Sequence, residues 1–224
     1  ILFVLGHVNS GCSLSALPTY EKVGLPVISP TNTNPTITEM GYKNYFRIIA
    51  SDDLIVKQQV LLGIKELGGK KPAMIWENTD YGKGMRDVAI RELKALGISY
   101  VGDESYVAGV DRDYSAQITK FKAAGADTVF VMGEYTAAAL VLKQAQTLGL
   151  KANFVGGSGC SNPKLIEIAG AVSENFFALT CFDPNDKRPA QAAFIKKYTS
   201  LHGDEPGEWS SHAYDVVYLV KKAY

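Results

Sequence analysis

The feature that most constrains the fold is a regular alternation of short β-rich runs with amphipathic segments of helical length. The predicted strands are 2–5, 26–28, 45–49, 73–76, 100–106, 128–132, 154–155 and 175–179. The predicted helices are 13–23, 53–67, 81–96, 114–124, 135–148, 163–169, 189–201 and 211–224. Strands that alternate with helices predict an α/β protein, in which parallel sheets are flanked by helices.

The amino-acid composition limits the kinds of molecule that the chain is expected to bind. The 224 residues contain 23 Lys plus Arg and 23 Asp plus Glu, so no excess of either charge attracts nucleic acid or an anionic membrane surface. No apolar run approaches the length of a membrane-spanning helix. Residues 1–6 lack a basic leader and a cleavage site, so they predict a buried strand, and any export signal is expected outside this sequence.

The residues that could carry catalysis or a metal do not form the required motifs. Gly156-Gly157-Ser158-Gly159-Cys160 approaches a nucleophile elbow but has cysteine at the last glycine position. Gly82-Lys83-Gly84 begins like a dinucleotide fingerprint, yet Asp87 occupies the third glycine position. The three histidines show no metal-ligand spacing. The sequence therefore predicts a protein that is not an enzyme and needs no cofactor or metal.

The cysteines predict free thiols. Cys12, Cys160 and Cys181 form no C-x-x-C pair and fall on different predicted elements. Such positions rarely have the Cα separation that a disulfide needs, so we expect none.

Ligands of parallel α/β sheets bind beyond the carboxyl ends of the strands, where helix N-termini present free amides. Polar residues follow the predicted strands at 7–13, 29–34 and 77–81. The first two segments are rich in hydroxyls and suit a carboxylate or a phosphate. For Ser10 the alternative is simple capping of a helix by Ser10 or Ser13, and for the second segment it is an ordinary polar turn.

Two further residues are candidates for ligand contact. Tyr81 follows Asp80, a potential helix cap, and could lie over a ligand, although a core tyrosine in a first helical turn is the alternative. Glu134 follows the strand at 128–132 and could pair with an ammonium group. Its alternative is a first-turn acid stabilised by the helix dipole.

The order and spacing of several short motifs resemble a known family, the type I periplasmic substrate-binding proteins of branched-chain amino acid ABC transporters. The resemblance covers nearly the whole chain. The motifs are Gly6-His7 with Ser10, Gly24-Leu25-Pro26-Val27-Ile28-Ser29-Pro30 running into Thr33-Asn34-Pro35, Arg47, Asp80-Tyr81-Gly82-Lys83-Gly84, Gln144-Ala145-Gln146 before Leu148-Gly149-Leu150, Gly156-Gly157, and Ala213-Tyr214-Asp215.

The resemblance implies two Rossmann-like lobes with parallel sheets, joined by hinge strands, in the type I periplasmic binding protein fold. Residues 1–50 and 187–224 would belong to lobe one, 54–180 to lobe two, and hinge crossings would lie near 51–53 and 181–186. It also implies a chain that lacks the first and last segments of the family, so lobe one would be incomplete.

The resemblance also implies a ligand site between the lobes. Ser10, Thr31 and Thr33 match the lobe-one positions that hold the α-carboxylate of the ligand, and Tyr81 matches a lobe-two contact. Ser158 stands where the family often has the acid that binds the α-ammonium, and Glu134 stands at a family tyrosine position. We therefore expect Glu134 to supply the ammonium partner in place of Ser158.

The function implied is the extracytoplasmic solute-binding component of an ABC importer, specific for an amino acid or a related small carboxylate. Its expected partners are that ligand and a membrane permease, and its expected state is a monomer in the periplasm or outside the cell, with a lipid anchor in a Gram-positive organism. The alternative is the ligand-binding ectodomain of a signalling receptor with the same fold.

Overall fold

The chain is organised as two units in the computed structural model, which describes residues 1–223. Unit 1 contains Ile1–Ala50 and the segment that begins at Thr180, and unit 2 contains Ser51–Leu179. The strands are β1 Val4–Leu5, β2 Val27–Ser29, β3 Tyr45–Arg47, β4 Pro72–Glu77, β5 Gly102–Tyr106, β6 Thr128–Met132, β7 Asn153–Gly156 and β8 Phe176–Ala178. The α-helices are α1 Ser10–Lys22, α2 Thr36–Glu39, α3 Asp52–Leu61, α4 Asp80–Ala95, α5 Ser115–Ala123, α6 Tyr135–Leu148, α7 Lys164–Ala169, α8 Pro189–His202 and α9 Glu208–Ala223.

Unit 1 is built on a parallel sheet in the order β1-β2-β3. Its core is a cluster that includes Leu17 of α1, Val27 of β2 and Ile37 of α2. Arg47, at the end of β3, donates to the carbonyl of Asn34 (3.0 Å) and to the hydroxyl of Thr38 (2.9 Å). These bonds hold the segment between β2 and α2 against the sheet.

Unit 2 has a five-stranded parallel sheet in the order β5-β4-β6-β7-β8. All five residues of β6 are buried, as expected for a central strand with both faces covered. One face packs against α3 and α4, and the other packs against α5, α6 and α7. The prediction of an α/β fold with parallel sheets is therefore confirmed.

The strand order of unit 2 creates a point where neighbouring connections diverge. β4 and β6 are adjacent, yet β4 leads into α4 on one face of the sheet and β6 leads into α6 on the other. In open parallel sheets such a switch point opens a crevice between two strand ends, and ligands bind there.

Some element boundaries differ from those predicted. α2 was not predicted, and α9 begins at Glu208 instead of residue 211, while its predicted end at Tyr224 lies outside the described residues. The predicted helix 53–67 ends as a π-helical segment, Leu62–Glu66. Within that segment a Cβ on Gly63 would lie 2.6 Å from the ring of Phe130, so glycine allows a close approach to the sheet.

Residues 1–223 contain neither a membrane-spanning helix nor a cluster of metal-binding side chains. No helix is long and apolar enough to cross a membrane. Across residues 1–223, no cluster of three or more His, Cys, Asp or Glu could hold a metal ion. Within residues 1–223, Cys12 and Cys160 carry free thiols.

Candidate ligand-binding site

Two of the predicted site residues lie beyond neighbouring strands of unit 1. Ser10 is the first residue of α1, which follows β1, and Thr33 lies in the segment that follows β2. Both are buried, with 3% and 1% of their surface exposed. Asn9, not Ser10, is the N-cap residue of α1, and its side chain makes no capping bond. Neither Ser10 nor Ser13 therefore caps this helix.

A neutral hydrogen-bond network joins the two loops. The Ser13 hydroxyl donates to Oδ1 of Asn32, and Asn32 Nδ2 donates to the carbonyl of Val8 (2.8 Å). Nδ1 of His7 lies 3.1 Å from Ser13 Oγ, and Nε2 lies 3.2 Å from the Tyr20 hydroxyl. Because the Ser13 proton is used on Asn32, the network assigns the His7 proton to Nδ1. These contacts fix the spacing between the ends of β1 and β2.

Thr31 and Thr33 differ in what their hydroxyls contact. Thr31 Oγ1 donates to the carbonyls of His7 (2.9 Å) and Val8 (3.1 Å), so its proton is used within the protein. Thr33 Oγ1 is buried and has no hydrogen-bond partner. A buried hydroxyl without a partner costs free energy, so Thr33 is the better candidate to donate to a ligand.

In unit 2 the register of the sheet brings Glu77 and Glu134 to one edge. Glu77 ends β4 opposite Tyr106 of β5, and its neighbour Trp76 is opposite Met132, the last residue of β6. Gly133 and Glu134 follow directly. The two acids therefore flank the switch point between β4 and β6.

Glu77 is buried and held by hydrogen bonds. Its exposed fraction is 5%, its Oε1 accepts from the Thr79 hydroxyl (2.6 Å), and its carboxylate accepts from the backbone amide of Glu134. Burial raises the pKa of Glu77, and these two hydrogen bonds oppose the rise.

Gly133 directly precedes Glu134 and passes so close to Tyr106 and Glu77 that a side chain at this position would force a neighbouring group to move. A Cβ there would collide with the Tyr106 hydroxyl and lie 2.9 Å from Oε2 of Glu77. The Tyr106 hydroxyl is buried and has no hydrogen-bond partner. The glycine thus allows the chain after β6 to pass directly over Glu77.

Glu134 is the N-cap residue of α6, but its side chain makes no capping hydrogen bond. The residue is exposed, yet its carboxyl lies among the strand ends, where desolvation and then the negative charge of Glu77 raise its pKa to about 7. A capping or dipole-stabilised acid would have a lowered pKa instead. The environment thus does not favour the helix-dipole explanation of this residue.

Tyr81 and Ser158 complete the edge of unit 2. The Tyr81 hydroxyl accepts from the Gly159 amide (3.2 Å), which leaves its own proton available to donate. The cap of this helix is the Thr79 side chain, which accepts from the Gly82 amide, and not Asp80 as predicted. Ser158 is 2% exposed, and its hydroxyl has no partner.

Sequence reasoning did not assign roles to Glu77, Tyr106 or Gly133. Glu77 stood within the polar segment after a predicted strand, and that position was the available signal. Its importance depends on β4 and β6 being neighbours, which only the strand order reveals.

Comparisons with known proteins identify the wider group. A family model described as a periplasmic binding protein matches residues 1–224. The chain is similar to a Leu/Ile/Val-binding protein homolog of Brucella suis, with 34% identity over 227 residues. That match covers 100% of this chain and 59% of the relative, so the chain spans about three-fifths of the length of such relatives.

Two solved structures are similar over the whole chain. A leucine-binding protein from Thermotoga maritima has a TM-score of 0.91 and 28% identity, and the match covers 63% of that protein. A branched-chain amino acid transporter substrate-binding protein from Streptococcus pneumoniae, in complex with isoleucine, has a TM-score of 0.88 and 30% identity, with 64% covered. The resemblance inferred from the sequence motifs is confirmed.

Proposed function

The chain belongs to the periplasmic binding protein family, and on that premise we propose that it is most of the solute-binding component of an ABC importer. The family is one of binding proteins and not of enzymes, which is the class that the sequence predicts. The proposed ligand is an amino acid or a closely related small carboxylate.

One observation carries the proposal: hydroxyls that are buried yet have no partner follow strands in both units. Thr33 Oγ1 in unit 1 and Ser158 Oγ in unit 2 are of this kind. Buried polar groups are nearly always satisfied, so an unpaired donor beyond a strand end is suited to a ligand atom. Ser10 and Thr33, on neighbouring strand ends, are proposed to bind the carboxylate, with Thr31 holding their loops together.

The ammonium group of the ligand is proposed to bind Glu134. Ser158 carries no charge, and a buried ammonium without a counter-charge is strongly unfavourable. Glu134 lies at the same edge of the unit 2 sheet and does not cap α6, so its carboxyl is available. Tyr81, whose hydroxyl keeps its proton, is proposed to contact the same ligand.

We further propose that ligand contacts shift an equilibrium between open and closed forms, and that a membrane permease recognises the closed form. This role requires a protein outside the cytoplasm, in the periplasm or at the cell surface. A monomer suffices, since one chain contributes all the proposed contacts.

A thermal-shift screen against amino acids and small carboxylates tests the ligand class. A ligand that binds only the folded protein increases the free energy of unfolding, by about 2.7 kcal/mol at a ligand concentration of 100 Kd. The melting temperature rises as a result. We expect the largest shift from an aliphatic amino acid. A screen in which no amino acid or carboxylate stabilises the protein would reject the proposal.

Calorimetric titration of Glu134→Gln with the best ligand tests the ammonium contact. Removing a charge-assisted hydrogen bond costs about 1.5 to 3 kcal/mol, so the affinity should fall about tenfold to 150-fold. Glu167→Gln, which changes an exposed first-turn acid of α7, is the matched control and should bind normally. Equal affinities of the Glu134 variant and the unmodified protein, or a best ligand without an amino group, would refute this role.

A further inference from the structure

The two acids at the switch point are close and structurally connected. The backbone amide of Glu134 donates to the carboxylate of Glu77, which places that carboxylate about 3 Å from the backbone of Glu134. Gly133 permits this approach because a side chain there would collide with Tyr106. Glu77 is buried and Glu134 is exposed, so solvent and ligand reach the pair through Glu134.

The other titratable groups around the pair come from every neighbouring element, and all are acidic or neutral. They are Tyr106 of β5, Tyr81 of α4, Cys160 in the turn after β7, and Asp52 of α3, which acts on Tyr81. Burial raises the pKa of Tyr106, Tyr81 and Cys160, so these three groups keep their protons. Within residues 1–223, no lysine or arginine is among the groups that shift the pKa of Glu77 or Glu134.

We propose that Glu77 and Glu134 act as one proton-linked pair, so that a ligand with a positively charged group binds with release of a proton and binds more weakly as the solution becomes acidic. The inference rests on the proposed function of Glu134 as the ammonium partner. Glu77 does not contact the ligand in this proposal. It is a positioning residue that influences whether the Glu134 carboxyl is ionised.

The reaction balances without any further reactant. In the ligand-free protein near neutral pH, Glu134 carries a proton in a fraction of the molecules because its pKa is about 7. Like charges at short separation resist the ionisation of both carboxyls. An incoming ammonium group pairs with the Glu134 carboxylate, and the displaced proton passes to bulk water. The charge of the ammonium group then replaces the charge of the released proton beside Glu77, so binding adds no uncompensated negative charge.

Thermodynamic linkage between ligand binding and proton binding sets the number of protons that are released. At the midpoint of Glu134, about half a proton is released per ligand, and the release approaches zero about two pH units above it. Well below the midpoint, the apparent affinity falls about tenfold for each unit of pH. The pKa of about 7 places this transition near neutrality.

The proton half of the inference is tested without a ligand. Carbon-13 NMR titration of the glutamate carboxyl carbons in the intact chain, with Glu134 assigned by its loss in Glu134→Gln, should give Glu134 a midpoint near 7. The Glu77→Gln variant should lower that midpoint, because the opposing charge is gone while the desolvation of Glu134 remains. A substitution that only destabilised the fold would not shift the titration midpoint of one carboxyl selectively. A Glu134 midpoint at or below about 5 in the unmodified protein would overturn the inference.

The ligand half is tested by calorimetry at pH 7 in two buffers with different ionisation enthalpies. We expect about half a proton released per ligand at pH 7 and little at pH 9. Binding without proton release at pH 7 refutes the linkage while leaving the proposed function intact. If no amino-bearing ligand binds at any pH, the proposed function and the ligand half both fail, and the NMR midpoint still decides whether the acids share a proton. Should Glu77→Gln fail to fold, the NMR and calorimetry of the unmodified protein decide alone.

Discussion

In unit 1 the loops beyond the sheet are joined by neutral groups, whereas in unit 2 the corresponding loops are joined through a carboxylate. Ser13 and Asn32 connect the ends of β1 and β2 by hydroxyl and amide hydrogen bonds. Glu77 connects the ends of β4 and β6 by accepting the backbone amide of Glu134. The same position in two parallel sheets therefore presents hydrogen-bond donors in one unit and negative charge in the other.

Hydrogen-bond donors and negative charge are the two chemistries that the proposed amino acid ligand requires. A carboxylate needs donors and no nearby negative charge, and an ammonium needs an acid that is not already paired with a cation. The neutral edge of unit 1 is the Ser13 and Asn32 network after β1 and β2, and the carboxylate edge of unit 2 is formed by Glu77, Gly133 and Glu134 after β4 and β6.

The largest effect on stability is expected from Gly133→Ala, which adds a methyl group to the carboxylate edge. The added methyl would collide with the Tyr106 hydroxyl and press on Glu77, so we expect a loss of about 3 kcal/mol in the free energy of unfolding, measured with urea. Adding Tyr106→Phe removes the colliding hydroxyl and should recover part of the loss. Additive effects of the two changes would mean that Tyr106 is not the obstacle.

The next effect is expected from placing an acid in the neutral edge. Asn32→Asp puts a carboxyl at a position with 0% exposure and removes the amide that donates to Val8, so we expect a loss of about 2 kcal/mol at pH 7. Burial should raise the pKa of the new acid, so part of the stability should return on acidification.

Asn162→Asp is the matched control for that change. The Asn162 side-chain oxygen accepts from the Lys164 amide, a bond that aspartate can keep, so its stability should change by less than about 0.5 kcal/mol. Equal losses at both positions would contradict the neutral character of the unit 1 edge.

A smaller effect separates two threonines of unit 1. Thr31→Val loses the bonds to the carbonyls of His7 and Val8 and should cost about 1 kcal/mol. Thr33→Val removes a hydroxyl that has no partner, so it should cost almost nothing in stability while it weakens ligand binding. Urea unfolding and calorimetric titration measure the two effects. A Thr33 variant that is less stable than the Thr31 variant would show that the Thr33 hydroxyl has a partner within the protein.

The smallest effect is a pH dependence of stability that arises from Glu134 at the carboxylate edge. The pKa of Glu134 rises from an ordinary 4.5 to about 7, so the folded protein binds more protons than the unfolded chain between these values. The contribution of Glu134 to stability therefore falls as pH rises through this window. Compared with the unmodified protein, Glu134→Gln should gain stability between pH 4.5 and 7, by no more than about 1 kcal/mol because the side chain is exposed. Parallel pH profiles of melting temperature would contradict it.

Much of this fold could be predicted because its signals are local. Alternating strand and helix patterns, with glycines such as Gly149 in the left-handed conformation after α6, identify most elements. α2 has only four residues, too few for a helical period to emerge from the sequence. The π-helical segment depends on how closely Gly63 approaches the sheet, which is a property of packing.

Some residues of the candidate site could likewise be predicted from local patterns, whereas others depend on packing. Glu134 and Thr33 were predicted because each follows a recognisable strand. Glu77 could not be assigned, since its effect on Glu134 exists only when β4 and β6 are adjacent and Gly133 leaves room between them. Pairing between strands that are distant in sequence is not encoded in any local pattern.

The division of the chain also has a consequence for how the protein forms during synthesis. Unit 2 is one continuous stretch, Ser51–Leu179, so all of its sheet can assemble once that stretch has left the ribosome. Unit 1 combines Ile1–Ala50, which contains its three strands, with a segment that begins only at Thr180 and supplies α8 and α9, so these helices are made more than a hundred residues after the strands. Contacts of such sequence separation close slowly. Residues 1–50 are therefore expected to remain without α8 and α9 on the nascent chain while unit 2 folds, which makes them the segment most in need of protection by chaperones.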